Sequence, residues 1–195
     1  MKKLAVFVSG GGSNFQALID GIDEGKINGK ITLCISSQPD AYALKRAAKH
    51  NIPAHIFSLS DHNSAEEMFA KIRILLLQNE IDLIILVGYM TILPPAFVRA
   101  FAGKIINIHP ALLPKHSGKG YYGIRPHEAV IASGEKVSGA TVHFVDEGVD
   151  TGEVILQEEV PVLPSDSPKD LQQRVLSLEH ILICKAVALL CEKHT

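Results

Sequence analysis

The sequence predicts an α/β fold: a Rossmann-like, doubly wound, mostly parallel sheet with antiparallel strands added in the C-terminal half. Three observations carry that prediction. Short β-branched runs alternate with amphipathic stretches through the first half of the chain. Those runs are apolar on both faces, as strands of a covered parallel sheet are. Beyond Gly123 the pattern changes to two strands of alternating polarity joined by a short glycine-containing loop, which suits antiparallel pairing.

The strands expected in the first half are Leu4–Ser9, Ile31–Ser36, Leu83–Val87 and Ile105–His109. Helices are expected between and after them at Asn14–Glu24, Ala41–His50, Ala65–Asn79 and Pro95–Phe101. Two of these open with a capping-box pattern, Ser13-x-x-Gln16 and Ser64-x-x-Glu67, in which the hydroxyl and the acid or amide satisfy exposed N–H groups. A helix near His127–Ala132 precedes strands at Ala140–Asp146 and Glu153–Val160, joined by Glu147–Gly152. The last helix takes Ser167 as its cap, with Pro168 in the first turn and Asp170 closing the box, and runs to about Cys191. Its Leu171, Val175, Leu178, Leu182 and Val187 form a buried stripe, so Glu179 beside that stripe needs a partner.

A chain of 195 residues without repeats or linker-like stretches predicts one domain. The formal net charge of −2 provides no global field for nucleic acid or an anionic membrane. Three cysteines, Cys34, Cys184 and Cys191, form no C-x-x-C pair, which argues against a disulfide framework or a cysteine zinc site and for a reducing compartment. The apolar run at the N-terminus stops at Ser9-Gly10, too soon for a signal peptide. The stretch Leu83–Phe97 is interrupted by Gly88, Thr91, Pro94 and Pro95 and falls short of a membrane span. A cytoplasmic protein is expected, either monomer or homodimer, with no nucleic-acid or membrane partner.

Three constellations carry chemistry. Ser9-Gly10-Gly11-Gly12-Ser13-Asn14 lies between the first strand and the first helix. Its glycines permit close backbone approach, and the helix N-terminus offers N–H groups to an anion. The dinucleotide pattern fails because Phe15 stands at the third glycine, and no acid ends the second strand. The P-loop pattern fails for lack of Gly-Lys-Ser/Thr. A substrate phosphate fits, and so does a plain strand-to-helix turn. Asn107 and His109 share one strand face, and Pro110 ends the strand. In a parallel sheet they reach the carboxyl edge together with the glycine loop and Gly88-Tyr89-Met90. That pair suits stabilisation of an oxyanion or proton transfer, and is equally consistent with a hydrogen-bonded strand terminus. Asp150, flanked by Gly148 and Gly152, reads first as a turn residue. Folded beside His109, it would orient the imidazole and favour its protonated form.

Other signals are weaker. His127-Glu128 lacks the second histidine of a zinc-protease helix, and no cluster has structural-zinc spacing. His143 suits either a core position or an orienting role. Lys115, His116 and Lys119 read as a solvated basic loop.

Gly12-Ser13-Asn14-Phe15-Gln16, Asn107-Ile108-His109-Pro110-Ala111-Leu112-Leu113-Pro114 and the segment Val142–Gly152 resemble the phosphoribosylglycinamide formyltransferase (GAR transformylase) family of folate-dependent formyltransferases. The resemblance extends along essentially the whole chain, including Gly118-Lys119-Gly120, His127–Val130 and Arg174-Val175 with Glu179-His180. Related families carry an additional N- or C-terminal domain for which this chain has no room. The resemblance implies formyl transfer from 10-formyltetrahydrofolate, as co-substrate, to the amine of glycinamide ribonucleotide (GAR) in purine biosynthesis, with no metal. It implies that Gly12, Ser13 and Asn14 hold the GAR phosphate and Glu179 its ribose hydroxyls. Met90, Thr91, Ile92 and Leu93, together with Asn107, Asp146, Glu147 and Asp150, would bind folate. Asn107, His109 and Asp150 would form the catalytic trio. The single domain 1–195 would divide into a phosphate-binding half (1–100) and a catalytic and folate-binding half (101–195). Family members can carry a basic residue near position 65 that contacts the folate tail, where this chain has Ala65. Two competing readings are hydrolysis of formyl-folate by the same trio and a non-catalytic phosphosugar-binding module.

Overall fold

The computed structural model describes residues 1–192. Its seven strands are β1 (Lys2–Val8), β2 (Gly29–Ser36), β3 (Ala54–Ile56), β4 (Leu83–Leu86), β5 (Ile105–His109), β6 (Val137–Phe144) and β7 (Val154–Pro161). They form one sheet in the order β3-β2-β1-β4-β5-β6-β7. The first five strands are parallel, and β6 and β7 extend the sheet antiparallel. The predicted fold class is borne out.

The helices are α1 (Ser13–Asp23), α2 (Tyr42–Lys49), α3 (Ala65–Gln78), α4 (Pro95–Ala100), α5 (Arg125–Ala132) and α6 (Pro168–Glu192). Alternation along β1 explains how they cover both faces. Leu4, Val6 and Val8 face a core built with Phe15 and Leu18 of α1, Ala43 and Ala47 of α2, and the α6 stripe. Ala5 and Phe7 face the opposite core, with Met68, Phe69, Ile72 and Leu76 of α3 and Phe97 of α4. The apolar-on-both-faces pattern was therefore a correct sign of a covered sheet.

Several local expectations need correction. The box at Ser13 does not form. Gly12 is the cap, in a left-handed conformation with φ 70°, and Ser13 is already helical. Gln16 instead directs its amide to Asp20. The box at Ser64 does form on one side: Glu67 N–H donates to Ser64 Oγ at 3.1 Å, while the Glu67 carboxylate accepts from Asn63 N–H at 3.1 Å. Ser64→Ala is accordingly expected to cost about 1 kcal/mol in denaturant unfolding; an unchanged midpoint would contradict the cap. At α6 the box is reciprocal, with Ser167 N–H donating to Asp170 Oδ2 at 2.8 Å and Asp170 N–H donating to Ser167 Oγ at 3.3 Å. The strand β3 was not predicted: its three residues are exposed and pair only with Cys34–Ser36, too short a run to show a period. Strand β6 starts three residues before the expected Ala140, because Val137, Ser138 and Gly139 continue the ladder to β7. Among the described residues, no helix is long and apolar enough to cross a membrane.

Candidate active site

Chain order reverses beside β1, which sends β2 to one side and β4 to the other. Open α/β sheets bind ligands at such a point, beyond the carboxyl ends of the strands. A cleft of about 930 Å³ lies there. Every predicted site residue lines it: Gly12, Ser13, Asn14, Met90, Thr91, Ile92, Leu93, Asn107, His109, Asp146, Glu147, Asp150 and Glu179.

On the cleft wall, the glycine turn leads into α1. A Cβ on Gly12 would sit 2.7 Å from the Ala43 Cβ, so α2 packs where any side chain would be. The first-turn N–H groups of α1 have no intrahelical acceptors. Arg46, which sequence reading did not single out, braces the turn from α2: its Nε donates to the Gly11 carbonyl at 2.9 Å and its Nη1 to Gln16 Oε1 at 3.1 Å. No spacing or motif marks such an arginine, because its partner is a main-chain oxygen. The partner that Glu179 required is Asn14, whose Nδ2 donates to Glu179 Oε2 at 2.7 Å. Asn14 Oδ1 is buried without a partner.

Burial drives the Glu179 carboxyl from an ordinary 4.5 up to about 7, against the pull of the Asn14 amide. Between those values the folded protein holds a proton that the unfolded chain has released. Stability of the ligand-free protein should therefore fall as pH rises through that window and level off above it. Glu179→Gln is expected to flatten this slope in thermal melts between about pH 5 and 7; an unchanged slope would show that Glu179 does not titrate differently in the folded state.

At the β5–β6 side of the cleft, pairing register does the positioning. Asn107 of β5 stands directly opposite His143 of β6, so their side chains share a face. Asn107 Nδ2 lies 3.2 Å from His143 Nε2. The other nitrogen, Nδ1, must donate to the Phe144 carbonyl at 2.8 Å. Burial lowers the pKa of His143, which favours the neutral ring, whose Nε2 accepts from Asn107. That chain of bonds fixes the Asn107 amide with its nitrogen toward His143. The second N–H of that amide remains available to a ligand.

His109 is buried. Its Nδ1 lies 3.6 Å from Asp150 Oδ2, and its Nε2 donates to the His116 carbonyl at 2.9 Å. Asp150 sits in a left-handed conformation at φ 58°. Its Oδ2 accepts from Gly118 N–H at 3.0 Å, and its Oδ1 is 3.7 Å from His143 Nε2. The carboxylate thus lies between two imidazoles. A third imidazole, His127, is only 1% exposed. Its Nδ1 has no partner, and burial pushes its pKa down to about 4, helped by the neighbouring His109.

The cleft lining also includes the exposed apolar side chains of Met90, Ile92 and Val149. Ser9 ties this region to the glycine turn, its Oγ accepting from Met90 N–H at 2.9 Å. The loop after β6 is drawn tight by Asp146, which accepts from Gly148 N–H at 3.0 Å and from Thr151 Oγ1 at 2.6 Å. Glu147 is held by Arg99 of α4 at 2.6 Å. Any Cβ on Gly152 would overlap the Phe144 carbonyl. Ala65 packs against the core under α3, outside the cleft lining. The basic loop is not simply solvated: Glu135 meets His116 at 2.7 Å and Lys115 at 3.5 Å, and only Lys119 of the three lines the cleft.

The Formyl transferase family profile matches residues 2–187. The chain belongs to the formyl transferase family. The resemblance read from the motifs is borne out further by individual relatives. The chain is 43% identical over 180 residues to phosphoribosylglycinamide formyltransferase of Haemophilus influenzae, covering 92% of this chain and 82% of that protein. It is 42% identical over 197 residues to the chloroplastic phosphoribosylglycinamide formyltransferase of Arabidopsis thaliana, covering 98% of this chain. It spans 66% of that plant protein's length. The crystal structure of glycinamide ribonucleotide transformylase 1 from Symbiobacterium toebii superposes with a TM-score of 0.93 at 38% identity, covering 98% of this chain and 88% of that one. Within the family, the chain belongs with the phosphoribosylglycinamide formyltransferases.

Proposed function

We propose that the protein transfers a formyl group from 10-formyltetrahydrofolate to the amine of GAR, giving formyl-GAR and tetrahydrofolate for purine synthesis. The observation that carries this reading is the shared cleft: Asn107, His109 and Asp150 line one cavity with an anion-suited helix terminus and with the exposed apolar side chains of Met90, Ile92 and Val149. The apolar surface of Met90, Ile92 and Val149 suits a flat heteroaromatic ring, with Thr91, Leu93, Asp146, Glu147 and Asp150 around it. Gly12, Ser13 and Asn14 would take the phosphate, and Glu179 the ribose hydroxyls. The co-substrate supplies an electrophilic formyl carbon. As the GAR amine attacks it, the free Asn107 N–H and the His109 imidazole stabilise the negative charge that grows on the formyl oxygen. Asp150 holds His109 in place and helps to carry the proton of the attacking amine toward the leaving nitrogen. Each charge in this scheme has a protein partner, and no metal is called for.

The two halves of the single domain divide the work: 1–100 brings the phosphate turn and the Met90–Leu93 side of the folate pocket, and 101–195 the trio, Glu179 and the remaining folate contacts. Free thiols at Cys34, Cys184 and Cys191 support a cytoplasmic setting. Neither hydrolysis of formyl-folate nor a purely binding role needs both the phosphate turn and the trio.

The roles are separable by mutation. Asn14→Ala is expected to raise KM for GAR about tenfold or more, from loss of a hydrogen bond to a charged group, while KM for the folate stays within about twofold. Equal damage to both would make the turn structural. In calorimetry the protein should bind GAR and show no binding of NAD or ATP; tight NAD binding would overturn the reading.

A further inference from the structure

The formyl-transfer reading leaves unexplained why the chain spends a buried imidazole contact on a loop carbonyl. His116 lies in a left-handed conformation at φ 49°, a cost for a residue with a Cβ. Its carbonyl accepts the His109 Nε2–H at 2.9 Å. Its own ring reaches the other way, with Nε2 at 2.7 Å from Glu135 Oε1. Both partners of that contact are largely covered, with side-chain exposures of 14% and 21%. Glu135 is steadied in turn by Ser133 Oγ at 3.4 Å and Lys115 Nζ at 3.5 Å. The contact with His116 holds the Glu135 carboxyl below its usual range.

A carbonyl can only accept, so whenever this bond is made His109 carries a proton on Nε2. The neutral ring then has its lone pair on Nδ1, the atom 3.6 Å from Asp150, and it is the ring with a second proton on Nδ1 that can donate to the formyl oxygen or to Asp150. We propose that His116 and Glu135 form a latch that positions the catalytic imidazole: Glu135 pins His116 so that its carbonyl holds His109 as the Nε2–H tautomer, and protons are taken and given at Nδ1. His116 and Glu135 are positioning residues, acting only through His109. The proposal rests on His109 being catalytic.

Nitrogen NMR of the histidine side chains in the intact protein, combined with kinetics, tests the latch. In the wild type, the neutral His109 ring should show its proton on Nε2. Glu135→Ala should mix the two tautomers and lower kcat by about tenfold or more, because misplacing a reacting group is costly. KM for both substrates should stay within about twofold. Glu135→Gln retains an acceptor for the His116 ring and should restore both readouts. His116→Asn tolerates the left-handed backbone but loses the long reach to Glu135, and combining it with Glu135→Ala should add little further loss. A neutral His109 protonated on Nδ1 in the wild type would overturn the proposal. So would Glu135→Ala with unchanged tautomer and kcat. The underlying site reading fails separately: His109→Ala with normal turnover would refute it, whatever the NMR of the latch variants shows.

Discussion

Asn107→Ala and His109→Ala are each expected to lower kcat by about 10²–10³ or more, the usual effect of removing one donor to a developing oxyanion. Dissociation constants for GAR and the folate should stay within a few-fold, because these contacts strengthen chiefly in the transition state. If both donors address one oxygen, the double variant should lose less than the sum of the two single losses. The structure adds a control. His143 fixes the Asn107 amide through the 3.2 Å bond, so His143→Asn, a shorter-reaching acceptor, should weaken turnover through Asn107 while doing little to an Asn107→Ala background. Variants that retain turnover but melt early would make the pair architectural.

Asp150→Asn is expected to lower kcat by about 10²–10⁴, the range that a positioned proton-transfer group contributes. Stability should change little. Asn is the non-glycine residue best suited to the left-handed backbone at φ 58°, and its carbonyl oxygen can still accept from Gly118 N–H. What is lost is the charge beside His109 Nδ1. A role limited to the turn predicts the reverse: lower stability, with normal turnover per folded molecule. Circular dichroism melts and kinetics on the same preparation separate the two outcomes.

The large elements of the fold were legible because their residues obey a period. The apolar runs that became β1, β2, β4 and β5 lie buried between two helix layers, and the α6 stripe of Leu171, Val175 and Leu182 is core. The candidate site was legible where strand alternation acts, as at Asn107 and His109, which both line the cleft. Glu179 could be noticed because an acid on an apolar stripe demands a partner, though the identity of that partner, Asn14, came only with the fold. What remained hidden depends on main-chain geometry. Arg46 braces a carbonyl of Gly11, Gly118 gives its N–H to Asp150, and His116 offers its carbonyl to His109. None of these partners has a side-chain identity that a pattern can mark. The Ser13 box failed for a related reason: close packing of Ala43 against Gly12 sets the helix start, and the hydroxyl of Ser13 is left one position too late to cap it.

The most direct measurement is the absorbance change that accompanies formyl loss from 10-formyltetrahydrofolate, followed with and without GAR. The account predicts steady turnover only when GAR is present, with one formyl-GAR formed for each folate deformylated, and near-complete loss of that turnover in His109→Ala. Equal rates with and without GAR would show a hydrolase, and no turnover by folded protein in either case would contradict formyl transfer altogether.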